Sequence, residues 1–167
     1  MKIQPMHAPL CVLILLCALA SPAQGPPTGG IESLVGAWKG EGKLLGMASR
    51  AEMKWEAVLG GRFTRLTYRA ETRAPDGSPQ VFEGHGYYRS LGDRKYQGDW
   101  FDSQGDHHPI AAVFQGGALT ATWGTEATKL GRTTYRIAGA NRLEVTDEIR
   151  AKDGAWQQFG RATLSRE

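Results

Sequence analysis

Beyond Cys17 the sequence holds no cysteine, and both of its cysteines, Cys11 and Cys17, fall in the opening apolar segment. That absence excludes disulfides, thiol nucleophiles and cysteine-ligated metals from the rest of the chain. Long apolar runs are scarce as well. "LCVLILLCALA", Leu10 to Ala20, is shorter than the roughly 20 residues an ordinary membrane helix needs, and no later run approaches it. Clustered charge is missing too: 20 Lys and Arg against 17 Asp and Glu give a formal net charge of +3, spread along the chain. Nucleic-acid binding calls for basic residues gathered on one face, so no nucleic-acid partner is expected. A Gly-x-Ser-x-Gly nucleophile elbow is absent. Ser33, Ser49, Ser78, Ser90, Ser103 and Ser165 fall mostly in turns or at element ends.

What is present begins with an address. Lys2 followed by the apolar run has the layout of a secretory signal, and Ala18-Leu19-Ala20 or Ser21-Pro22-Ala23 offers the small residues a signal peptidase reads. Residues 1–23 are therefore read as signal and cleavage region, with cleavage after Ala20 or Ala23 and a secreted or periplasmic destination. Leu16 before Cys17 and Leu10 before Cys11 fit a lipoprotein signal poorly; a retained N-terminal anchor helix is the alternative. Residues 24–30, ending "GPPTGG", read as a spacer. Residues 31–167 form one domain's length, enough to bury roughly two-thirds of its unfolded surface.

Within that domain the period-2 signal dominates. In "RAEMKWEAVL" Ala51, Met53, Trp55, Ala57 and Leu59 share one face, and Arg50, Glu52, Lys54 and Glu56 the other. This is the alternation of a half-buried antiparallel strand. Gly60-Gly61 then supplies a hairpin turn, and "RFTRLTYRA" returns. "VFEGHGYYR", "KYQGDWF", "PIAAVF", "ALTATW", "TTYRI", "RLEVTDEIR" and "AWQQFGRATL" continue the series between turn-forming segments such as "APDGSP". With the opening "GAWKGEG" they make about ten short strands. Hairpin-linked strands in this number predict an all-β fold, and closure into an up-and-down barrel removes the two edges a meander would expose. Ile31 to Val35 predicts one helical turn at an end. In "GAWKGEG" Trp38, Gly40 and Gly42 share the inner face, so Trp38 is expected to fill the closed end.

A "G-x-W-x-G-x-G" first strand, followed by about nine antiparallel strands with "Y-R" and "Y-R-I" landmarks, resembles the calycin-like barrels. Among them are the lipocalins, the fatty-acid-binding proteins and the ten-stranded nitrobindin-type haem-binding barrels. At residue level the likeness concentrates in "LVGAWKGEG" and "QQFGRATLSR". It implies a barrel with a lumen, as in exported bacterial relatives of that group. Nitrobindin-type barrels hold haem iron through a histidine on the last strand, and Phe159 stands at the matching position here. The last histidine of this chain is His108, so haem is disfavoured and no cofactor is assigned.

Candidate polar groups are few. Glu83, His85 and Tyr87 alternate on one face of their strand, with Phe82 and Tyr88 on the other, and either face can be the inner one. Asp147 shares a face with Leu143, Val145 and Ile149, which makes it a buried acid in want of a partner; Arg65, Arg69 and Arg136 are candidates. His107 and His108, with Asp99, Asp102 and Asp106, invite a metal reading, but adjacent strand residues point to opposite faces. No metal site is assigned. The expected occupant of the lumen is a small apolar or amphipathic molecule. Its expected contacts are Trp38, Trp55, Arg65, His85, Tyr87, Trp100, Tyr135 and Asp147. An acid/base enzyme using Glu83 or Asp147 with His85 in the same lumen is the alternative, and so is an interaction module with a filled barrel.

Overall fold

The computed structural model describes residues 29–167; residues 1–23, read above as a signal, and most of the spacer expected at 24–30 lie outside the described residues. A 3-10 turn at Ile31–Leu34 leads into ten strands. They are β1 (Gly36–Leu44), β2 (Met47–Val58), β3 (Phe63–Arg73), β4 (Pro79–Gly92) and β5 (Lys95–Asp102), then β6 (His107–Gln115), β7 (Ala118–Gly124), β8 (Leu130–Gly139), β9 (Arg142–Arg150) and β10 (Trp156–Arg166). Each strand pairs antiparallel with its sequence neighbours, and β1 pairs with β10 to close the barrel. Two glycines make that closure tight. A Cβ at Gly40 would lie 2.0 Å from the Thr163 carbonyl oxygen, and one at Gly42 2.0 Å from that of Arg161, so β10 crosses where no side chain fits.

The alternation decides what faces inward. Ala51, Met53 and Trp55 of β2 are buried while Glu52 and Lys54 are exposed. Ala57 and Leu59 depart from the expected pattern: both are exposed. Leu59 leaves the strand at φ 52°, and Gly60 and Gly61 follow at 65° and 78°. The connection from Val58 to Phe63 is thus a longer loop than a two-residue hairpin turn.

One end of the barrel is solid. Leu34, Trp38, Trp55, Leu66, Leu119, Leu143 and Leu164 are almost wholly buried there. Trp38 fills this end as its place in "GAWKGEG" suggests. Its Nε1 donates to the Leu34 carbonyl at 2.8 Å, and the Arg166 guanidinium lies 4.2 Å from its ring centroid. Burying such a side chain contributes on the order of 3 kcal/mol. The 3-10 turn corks the same end through Ile31 and Leu34, with the Ile31 N–H donating to the Tyr96 hydroxyl at 3.0 Å. Among the described residues no helix is long and apolar enough to cross a membrane.

Candidate functional site

The other half of the barrel is hollow. A cavity of about 670 Å³ lies between the packed end and the turns that join β1 to β2, β5 to β6 and β7 to β8. Met53, Ala70, Phe82, Ile110, Ala121, Ile149 and Phe159 supply apolar wall, and the rings of Tyr68, Trp100, Trp123 and Tyr135 supply aromatic wall. The volume falls within the range of small-molecule pockets, roughly 300–1,000 Å³.

The two indoles are seated on bare backbone. A Cβ at Gly84 would sit 2.0 Å from Cζ2 of Trp100, and one at Gly131 2.1 Å from Cζ2 of Trp123. Each glycine therefore leaves the space in which the neighbouring strand's ring lies against the wall. Trp100 stacks on Phe82 at 6.4 Å between centroids and 18° between planes, and Tyr68 leans against both.

An acid also lies on the cavity wall. Asp147 of β9 lines the cavity and is held by a directed chain. Trp123 Nε1 donates to Thr133 Oγ1 at 3.2 Å, and that hydroxyl donates to Asp147 Oδ1 at 2.7 Å. With the indole N–H on the hydroxyl oxygen, the hydroxyl proton is left for the carboxylate. Opposite Asp147 on β10 stands Gly160, where a Cβ would lie 2.6 Å from Oδ2; the missing side chain leaves room for the acid. Burial pushes the Asp147 carboxyl up to about 6, and the Thr133 hydrogen bond opposes that rise without cancelling it. Burial also raises the Tyr68, Tyr88 and Tyr135 hydroxyls, and the charge of Asp147 adds to the rise at Tyr68 and Tyr135. Among the described residues no lysine or arginine forms an ion pair with Asp147.

The mouth carries Asp102, Asp106, His108 and Lys129. His108 packs against Trp123, and its Nε2 lies 3.8 Å from Asp106. The ligand atoms of Asp102, Asp106 and His108 lie within 4.8 Å of one another. The oxygens of Asp102 are already engaged: Oδ1 accepts from the backbone N–H of Gln104 and of Asp106, and Oδ2 from Trp100 Nε1. This carboxylate closes the turn and steadies the indole. His107 points outward, as strand alternation requires, and bonds Asp99 at 2.8 Å.

Of the eight residues expected to meet a ligand, Trp100, Tyr135 and Asp147 line the cavity. Trp38 and Trp55 lie instead among the buried side chains of the core, off the cavity wall. Trp55 there packs against Tyr88 and Tyr135. Arg65, His85 and Tyr87 are corrected: they stand on the outer wall. Phe82, Gly84, Gly86 and Tyr88 take the inner face of β4, which turns Glu83, His85 and Tyr87 outward. Arg65 bonds Glu56 across the outside of β2 and β3. The arginine partner sought for Asp147 is corrected as well. Arg65 and Arg69 pair with Glu56, Glu71 and Glu83, Arg136 is exposed, and a threonine hydroxyl serves Asp147 instead. An acid/base pair of His85 with Asp147 is therefore not formed. Thr133 escaped the sequence reading, and His108, weighed there only as a metal ligand, stands at the cavity mouth. For Thr133 the signal was there, since an inward Tyr135 in "TTYRI" brings Thr133 inward two residues earlier. Phe159 also faces the cavity, edge-on to Trp123.

This barrel has counterparts among solved structures. It is similar to the crystal structure of Rv2717c from M. tuberculosis, with a TM-score of 0.58 and 22% identity over 82% of this chain and 94% of that one. It is also similar to the S-type phycobiliprotein lyase CPES from Guillardia theta, with a TM-score of 0.57 and 8% identity over 82% and 90%. At these identities the likeness is one of fold. No protein-family model matches the sequence, and no curated protein sequence matches it.

Proposed function

We propose that the chain is an exported binding protein that holds one small apolar or amphipathic molecule in its lumen, without covalent attachment. The observation that carries this reading is the half-hollow barrel: an aromatic cavity of about 670 Å³, open at one end, with the Asp147 carboxylate in its wall. Apolar wall supplies most of the affinity in such a site, and a few polar groups set the orientation. The likeness of fold to a phycobiliprotein lyase is in keeping with a barrel that accommodates a small molecule. Export rests on the pattern of residues 1–23. The mass of the mature protein, starting after Ala20 or Ala23, checks it.

Titration with an apolar dye that brightens on leaving water tests the lumen. Ala121 is buried on the cavity wall, and Ala121→Leu extends a larger side chain into the space. The wild-type protein is expected to take up one dye per chain, and Ala121→Leu to weaken uptake by about tenfold or more, since overfilled space must be re-made before a guest fits. His85→Ala, on the outer wall, is expected to change nothing. Equal uptake by wild type and Ala121→Leu would place the dye elsewhere and overturn the reading.

A further inference from the structure

Resting on the lumen reading, we infer that the guest is a cationic amphiphile: an apolar, preferably aromatic body bearing an amine or other positively charged N–H donor. Its charged end meets the Asp147 carboxylate and its body lies against Tyr68, Trp100 and Trp123.

Three independent features of the cavity point the same way. First, Asp147 has one hydroxyl donor, on Oδ1, and no lysine or arginine ion pair among the described residues. A carboxylate inside an apolar wall needs more than that to remain charged, and a charge-assisted hydrogen bond from a guest supplies it. Second, the site is shaped around the acid rather than merely containing it. Thr133 is oriented toward Oδ1 by Trp123, and Gly160 leaves the space beside Oδ2. A side chain at position 160 would fill that space.

Third, the wall and the mouth suit a cation. The faces of aromatic rings attract positive charge, and the protein already uses this at the rim, where the Lys129 ammonium lies 5.9 Å from the Trp123 ring centroid. The charged residues lining the cavity are Asp102, Asp106 and Asp147 against Lys129, with His108 beside them. Negative charge along an entry path raises the local concentration of cations. An anionic amphiphile would meet these carboxylates with Lys129 as the lysine or arginine lining the cavity to hold it.

The test uses three probes with one body: 1-naphthylmethylamine, 1-naphthalenemethanol and 1-naphthoate, titrated calorimetrically into the wild-type protein and into Asp147→Asn at neutral pH. Asn keeps the shape of the side chain and can accept the Thr133 hydrogen bond, and a thermal melt confirms that the variant folds. Wild type is expected to bind the amine at least about tenfold more tightly than the alcohol, with the naphthoate weakest; the amide substitution is expected to erase the amine's advantage over the alcohol. Should alcohol or naphthoate bind wild type as well as the amine does, the cationic guest is refuted while the lumen reading stands. Should an amine preference persist in Asp147→Asn, the carboxylate is not its source and the inference fails. If none of the three probes enters, both readings fall together. The wild-type comparison decides the matter even without the variant.

Discussion

Asp147 concentrates the chemistry of this molecule into one side chain. In the folded protein burial raises its carboxyl from 3.8 to about 6, so between those values the folded state keeps a proton that the unfolded state releases. Stability from this group is therefore present at low pH and falls as pH rises through that window. Above pH 6 the carboxylate is charged and disfavours the fold. Asp147→Asn is expected to raise stability at neutral pH by on the order of 2–3 kcal/mol and to flatten the decline between pH 4 and 6. Urea unfolding of both proteins across pH 4 to 8 measures it; identical profiles would show that the acid is not held in this environment. A bound cation is expected to reverse the penalty, because it stabilises the charged form. The outer-wall ion pairs work differently. Arg132 makes two bonds to Glu148, at 2.6 and 3.0 Å, yet both side chains are partly exposed and such pairs add little.

At the scale of elements, glycine on an inner face sets where large rings go. Gly84 on β4 and Gly131 on β8 are flat seats for Trp100 on β5 and Trp123 on β7. Gly131→Ala is expected to drive the Trp123 indole off its seat and destabilise the barrel by about 1–3 kcal/mol, the usual cost of overpacking. Loss of the hydrogen bond to Thr133 would accompany that displacement. Urea unfolding followed by tryptophan fluorescence reads both effects; an unchanged midpoint and spectrum would contradict the seating. The same elements show how far the sequence could be read. Ten alternating segments and their turn chemistry announced ten strands, and in β2 and β9 the alternation named the inner face, Asp147 included. In β4 it did not, because "FEGHGYYR" offers aromatic residues at both parities. The glycines decide it: Gly84 must face inward to receive Trp100. Thr133 and His108 act through partners on adjacent strands, Asp147 and Trp123, and cross-strand register is a property of the closed sheet. No single segment carries it.

At the scale of the whole molecule, the barrel divides into a plugged end that holds it together and a hollow end that encloses the cavity. The plug uses Trp38, Trp55 and five leucines that are almost wholly buried; the hollow end gives up that packing density for space. A chain without cysteine beyond position 17 has only such packing, and its hydrogen-bonded closure, to maintain the wall. Native mass spectrometry of the mature protein, purified from the organism that makes it, tests the central claim most directly. The account predicts a polypeptide beginning after Ala20 or Ala23 that carries one small non-covalent guest, released on unfolding. Bare polypeptide in repeated preparations, from a protein that also takes up no apolar probe, would contradict it.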